Sequence, residues 1–287
     1  VRNLTELWKA YIAEQRELVK SQDPAALSPR TIRDYTKMME RHVLPEFGSM
    51  KPNSFKATHA AQYIRAQRLA GRPIRGNREM SCLGSVFAYG MSVGACDSNP
   101  CKGVRRNKER ARTRSVSIAE VNTLLDIASQ GTHGGLLMVS LIAVTVALTG
   151  RRRGEVLGLP VEALTDEGIE VVDTKTRRYG ERRYLVRWSP MLKSVIEKAR
   201  ALRPGTGWVF PTRYGNPYAD GSFRREWAVM MNLYEKATGD RFRAHDLRAL
   251  YVSTMLNRGQ DPNTHRSEAT MRRVYDRRRV IEVDPLA

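Results

Sequence analysis

Residues 105–114 read Arg-Arg-Asn-Lys-Glu-Arg-Ala-Arg-Thr-Arg, six positive charges in ten residues with alanine as the sole apolar side chain. Such a run cannot enter a core, because each unpaired buried charge carries a heavy desolvation cost. It therefore cuts the chain into two parts that must each build a core, and 287 residues are enough for two. Asn99-Pro100 closes the first part, and Ser117, an N-cap with Glu120 three residues later, opens the second. The expected division is 1–104, a linker at 105–116, and 117–287.

Both parts read as mainly helical. In the first, Leu4, Leu7, Trp8, Tyr11, Ile12 and Leu18 recur at helical spacing over 4–19. Ser28-Pro29 starts a helix with Ile32, Tyr35, Met38 and Met39 on one face. Further helices are expected near 58–70 and from Gly76 to Val93, giving a small bundle whose aromatic and methionine stripes are core packing. In the second part helices are expected at 118–129, 135–148, 190–202, 221–236 and 245–257. Gly168–Val172 and Arg183–Val186 alternate like two strands around Tyr179-Gly180. The fold class is thus mainly α, an N-terminal helical bundle plus an α-rich domain with a small antiparallel sheet.

Charge narrows the partner. The net charge of +19 is shared: residues 1–114 hold 22 basic against 10 acidic side chains, and residues 115–287 hold 27 against 20. Two positive halves suit one long polyanion held between them better than a single basic tail does. For the linker, phosphate contact by Arg105, Arg106, Lys108, Arg110, Arg112 and Arg114 is preferred over a purely solvated role, with ordering expected on DNA. The longest apolar run, Leu136 to Leu148, suits a buried helix and not a membrane span. Cys82, Cys96 and Cys101 form no CxxC pair, so free thiols in a reducing cytosol are expected.

The chemistry concentrates in a few motifs: Thr149-Gly150-Arg151-Arg152-Arg153-Gly154-Glu155, Thr174-Lys175-Thr176, His245-Asp246-Leu247-Arg248, and His265 to Tyr275. Two arginines can grip the non-bridging oxygens of a phosphate with planar donor forks. Histidines can move protons near neutral pH, and a tyrosine can attack phosphorus. Any one of these residues alone has a bland reading. Tyr275 is one of 11 tyrosines, Lys175 could be a solvated charge, and His42, His59 and His133 lack sequence partners and are read as surface or structural. Glu155, three residues after Arg152, is read as its orienting partner. Arg151 and Arg153 are expected to meet DNA phosphates or carboxylates rather than a reacting group.

Taken together and in this order, the motifs resemble the tyrosine recombinase family, in particular the phage-type integrases, over nearly the whole chain. The resemblance implies the tyrosine recombinase fold, with residues 1–104 as a core-binding domain that clamps one face of the duplex. It implies a site-specific recombinase that cuts and rejoins DNA through a 3′-phosphotyrosine, with no metal and no nucleotide cofactor. Tyr275 would be the nucleophile and Arg152 and Arg248 the phosphate grip. His245 would accept the tyrosine proton, and His265 would hydrogen-bond a phosphate oxygen. Lys175 would protonate the leaving 5′ oxygen. Double-stranded attachment sites, a homotetramer on two of them, and an accessory DNA-bending protein are the partners implied. The setting would be cytoplasmic, at the nucleoid of a bacterium or encoded by a phage.

Two departures stand out. Ala249-Leu250-Tyr251 follows Arg248 where a histidine often stands, at a position outside the catalytic set. Gly259-Gln260-Asp261-Pro262-Asn263-Thr264 reaches His265 without the short helix that the resemblance implies. A stretch missing between Gly259 and His265 is the favoured explanation, since a shortened loop would struggle to bring His265 and Tyr275 to one phosphate. The tail Val280–Pro285 is β-prone, and docking on its own domain or on a neighbouring protomer both stay open. A type IB topoisomerase, acting as a monomer, shares the chemistry. A catalytically silent DNA-binding regulator is the rival from another class, and a metal nuclease is disfavoured for want of a carboxylate cluster.

Overall fold

The computed structural model describes residues 1–131, 134–173, 180, 182–264 and 267–278. Lys175, His265, His133 and the tail Val280–Pro285 lie outside the described residues. The chain divides into two compact units, Val1–Arg110 and Ala111–Ala287.

The first unit holds α1 (Leu4–Lys20), α2 (Pro29–Met38), a π turn at Met39–Val43, α3 (Leu44–Phe47), α4 (Ala57–Leu69) and α5 (Pro73–Ser92). Asn3 and Ser28 cap α1 and α2 by accepting from Glu6 N and Thr31 N. α5 starts three residues before the expected Gly76, because Pro73 at the first turn needs no amide partner. Leu7, Trp8, Met39, Val43, Phe55, Tyr63, Leu83 and Phe87 fill one core, with Phe47 edge-on to Phe55 at 5.1 Å. The start of the linker belongs to this unit. Asn107 N donates to Asn77 Oδ1 at 2.8 Å, and Asn107 Nδ2 donates to Ile64 O at 3.0 Å and Pro73 O at 3.1 Å.

The second unit holds α6 (Ile118–Gln130), α7 (Gly134–Thr149), α8 (Arg153–Leu157), β1 (Gly168–Val172), β2 (Arg183–Arg187), α9 (Pro190–Leu202), α10 (Asp220–Thr238), α11 (Asp246–Asn257) and α12 (Glu268–Tyr275). Ser117 and Glu120 exchange capping bonds at the start of α6 as their spacing requires. α7 is apolar on every side and buried along its length, so it forms the axis against which α6, α8, α9, α10 and α11 pack. β1 and β2 pair antiparallel from Gly168↔Arg187 to Val172↔Arg183. Asp173 N adds one more bond to Arg182 O at 2.9 Å. Among the described residues these are the strands present, and no helix is long and apolar enough to cross a membrane.

One helix here was not expected from the sequence. α12, which carries Tyr275, is eight residues long, capped by Ser267, and Met271 is its one buried side chain. So short and so charged a helix has almost no apolar period to read. Residues Gly259 through Thr264 form a loop with no helix of its own. This loop is tied down from beneath. Arg151 Nη2 donates to Asn263 O at 2.9 Å, and Arg248 Nη2 donates to Thr264 O at 2.6 Å.

α7 ends on Gly150, at φ +62°, which turns the chain toward Arg151 and Arg152. A Cβ there would lie 2.2 Å from Cδ1 of the Tyr251 ring on α11. Both left-handed strain and overpacking therefore oppose any side chain. Gly150→Ala should lose about 3 kcal/mol of stability by these two causes, as read from urea unfolding. An unchanged unfolding midpoint would show that this turn is not constrained as described.

Candidate active site

Each functional side chain is delivered by a different piece of the second unit. Arg152 sits on the turn between α7 and α8, in the N-cap position of α8. His245 and Arg248 lie at the start of α11, and Tyr275 ends α12. The structure brings these four together.

The expected nucleophile and the expected base are in direct contact. His245 Nε2 and Tyr275 Oη are 2.7 Å apart, with the rings edge to face at 69°. The Arg248 guanidinium lies over the Tyr275 ring, 5.5 Å from its centroid, and the Arg248 residue is 1% exposed. Packing around the half-buried Tyr275 raises its hydroxyl pKa, against the opposing pull of Arg248, Arg152 and Arg277. Protein crowding around the partly solvent-facing His245 ring, then the charges of Arg248, Arg277 and Arg153, push its pKa down to about 4, with Asp246 pulling the other way. His245 is thus neutral at pH 7 and able to accept a proton.

The two arginines are held differently. Arg152 is gripped by carboxylates. Its Nη1 donates to Glu155 Oε1 at 2.8 Å and to Asp173 Oδ1 at 2.6 Å, and its amide donates to Glu155 Oε2 at 2.9 Å. Burial works against its charge, but the bonds to Asp173 and Glu155 outweigh it and raise the pKa. Arg248 is pulled down to about 10 by burial, with Arg152 and Arg151 adding to the effect, and it stays charged at neutral pH. Both guanidinium groups thus stay charged at neutral pH close to Tyr275.

Arg151 and Arg153 do not share one fate. Arg153 pairs with the carboxylate of Asp220. Arg151 is buried, lies 4.0 Å over the Tyr184 ring, and bonds the carbonyls of Thr149 and Asn263. Among the described residues it meets no carboxylate and it is 4% exposed, so the expected phosphate or carboxylate contact is corrected to a structural one. In the linker, Arg106 donates to Asn77 O at 3.0 Å, Arg112 to Asp246, and Arg114 to Glu120 and Asp240. Arg105, Lys108 and Arg110 are exposed. Among the other histidines, His59 Nδ1 accepts from Lys56 N at 2.9 Å.

Sequence reasoning missed Asp173, whose signal was a carboxylate at the end of β1 just before Thr174-Lys175-Thr176. It also missed Ser253 and Arg277, which hold the Tyr275 main chain, and Asp246, which pairs with Arg277. Among the described residues no group of three His, Cys, Asp or Glu side chains is placed to hold a metal ion.

The phage integrase family model matches residues 115–275, and the phage integrase central domain model matches residues 12–107. The fold is similar to that of lambda integrase (75–356), solved as a dimer bound to a COC′ core site, at TM-score 0.78 and 16% identity over 99% of this chain and 100% of that one. It is similar to lambda integrase solved as a tetramer bound to a Holliday junction, at TM-score 0.74 and 16% identity over 98% and 80%. It is similar too to the Tn1549 transposon integrase (82–397) in complex with circular intermediate DNA, at TM-score 0.71 and 14% identity over 96% and 95%. No curated protein matches the chain in sequence.

The depressed His245 pKa sets a pH dependence. A group held below its unfolded value of about 6.5 adds full stability above that pH and loses it as pH falls toward about 4. Wild type should therefore lose more stability than His245→Gln between pH 7 and pH 5 in urea unfolding. Equal losses would place the imidazole in an ordinary, water-like setting.

Proposed function

The chain belongs to the phage integrase family, and we propose that Tyr275 is the nucleophile with which this site-specific recombinase cuts and rejoins double-stranded DNA. The observation that carries the assignment is the 2.7 Å contact of Tyr275 Oη with His245 Nε2 under the Arg248 guanidinium. Ionising a free tyrosine at pH 7 costs roughly 4 kcal/mol. A base in contact and a cationic seat for the phosphate lower that cost during attack.

In the proposed step Tyr275 Oη forms a bond to phosphorus as its proton passes to His245. Arg152 and Arg248 hold the non-bridging oxygens while the phosphorus is pentacoordinate, and Glu155 and Asp173 fix the fork of Arg152. The bond to the 5′ oxygen breaks, Lys175 supplies the proton that oxygen needs, and a 3′-phosphotyrosine remains. His265 adds a hydrogen bond to the phosphate. Attack by a 5′ hydroxyl runs the sequence backward, so the energy of the broken bond is kept and ligation needs no nucleotide.

The remaining assignments follow from that reading. Residues 1–104 would clamp the duplex, 117–287 would perform the chemistry, and Arg105, Lys108, Arg110 and the partly exposed Arg112 of the linker are side chains open to phosphates. Two attachment sites joined by a homotetramer would permit strand exchange, with a cytoplasmic, nucleoid-associated setting.

Tyr275→Phe tests the nucleophile. It removes one oxygen and keeps the ring, so DNA affinity and its salt dependence should persist, because phosphate contacts spread over both units supply most of the binding. Covalent protein–DNA complexes should disappear from denaturing gels, and a variant that still forms them would overturn the assignment. Lys175→Ala should slow cleavage of ordinary DNA by ~10²–10⁴-fold, yet largely spare a substrate with a 5′-bridging sulfur, which departs without protonation. Equal impairment on both substrates would give Lys175 a binding role instead.

A further inference from the structure

Asp246 takes no part in the step above, although it stands between His245 and Arg248. Its carboxylate is 1% exposed and is surrounded by donors. Arg243 N donates to Oδ2 at 2.8 Å, Arg277 Nη1 to Oδ1 at 2.8 Å, and Arg112 gives Nε to Oδ1 at 3.3 Å and Nη2 to Oδ2 at 3.1 Å. Backbone and ion-pair donors together hold its pKa below the usual carboxylate range despite burial.

The donors come from three separate stretches of chain. Arg112 belongs to the linker and its side chain is 39% exposed. Arg243 begins α11. Arg277 lies two residues after Tyr275, with its side chain 5% exposed. Arg277 is fixed by its main chain as well: its amide donates to Ser253 Oγ at 2.9 Å, and that hydroxyl donates to Tyr275 O at 3.2 Å. Arg277 Nη1 also reaches the carbonyl of Arg114 in the linker. Tyr275 is thus held at both ends, its hydroxyl by His245 and its backbone by Ser253, while Arg277 links the Ser253 hydroxyl to Asp246.

We propose that Asp246 is a positioning residue that fixes Tyr275 against His245 through Arg277, with Arg112 making that hold responsive to the linker. The chemistry favours one cooperative unit over three separate contacts. A buried carboxylate that loses one cationic partner is left with an uncompensated charge, so its pairs stand or fall together. Arg112 is the exposed member of the set, and a DNA phosphate that draws it away would loosen the post behind the nucleophile. A linker contact more than 130 residues away in sequence, at |i−j| = 134, thereby reaches the catalytic tyrosine.

The proposal rests on Tyr275 as the nucleophile for its catalytic consequence but not for its structural one, and two measurements separate these. In the DNA-free protein, amide hydrogen exchange over 275–277 should quicken at least ~10-fold in Asp246→Asn and in Arg112→Ala, with the amides of α7 unchanged. Unchanged exchange at 275–277 in both variants would refute the positioning role whatever residue attacks DNA. For catalysis, duplexes captured covalently by wild type from a random library supply the substrate. At saturating DNA, Asp246→Asn should form adduct ~10–100-fold more slowly, with affinity within about 3-fold of wild type. Adding Arg277→Gln should slow it little further, because both members belong to one unit. Effects that multiply, or a loss carried by affinity alone, would overturn the proposal. A wild type that forms its adduct elsewhere would refute the nucleophile while leaving the exchange result to decide the positioning.

Discussion

The short hydrogen bond between His245 and Tyr275 exists only because three unrelated pieces of chain meet at one point. α11 brings the histidine, α12 brings the tyrosine, and the Gly150 turn brings Arg152 to the same place. None of these pieces is held by apolar burial alone. α12 buries a single side chain, Met271, and so gains little from the hydrophobic term that stabilises α7. It is kept in place by polar anchors on either side: Ser253 and Arg277 behind it, His245 in front. That dependence explains why so much buried charge collects within a few residues of the tyrosine.

The charges are sorted by role. Arg152 carries two carboxylate partners and is therefore oriented with fixed geometry, whereas Arg248 is buried and donates to the backbone carbonyl of Thr264. One arginine is aimed by carboxylates, and the other sits where burial works against its charge. A phosphate placed beside a buried guanidinium would favour its charged form. Arg151 serves a third purpose. Stacked on Tyr184 and bonded to Asn263 O, it ties the short loop before His265 to the hairpin side of the domain.

Much of this was legible in the sequence, and for physical reasons. The long helices carry an apolar period that survives without context, as in α1, α7 and α9, and the Ser117–Glu120 pair marks a helix start by its own chemistry. Arg152, His245, Arg248 and Tyr275 were legible because their residue types and order fit one reaction. α12 was not, because eight residues with one buried position offer no period. The anchoring of the short loop was not legible because its partners lie far away in sequence, in the guanidinium groups of Arg151 and Arg248. The linker looked like six equivalent phosphate contacts, but Arg106, Arg112 and Arg114 are engaged by carbonyl or carboxylate groups that only the fold brings near. Asp246 and Asp173 were overlooked because a carboxylate beside a catalytic residue looks the same in sequence whether it is exposed or enclosed.

The central claim is that one oxygen, Tyr275 Oη, becomes bonded to DNA. Its most direct test is to trap wild-type protein on cleaved duplex, digest the adduct with protease, and locate the nucleotide by mass spectrometry. The account predicts a 3′-phosphoryl nucleotide on the peptide that contains Tyr275. A nucleotide found instead on the peptide containing Tyr251, or on a serine, would contradict it and move the whole site to a different register.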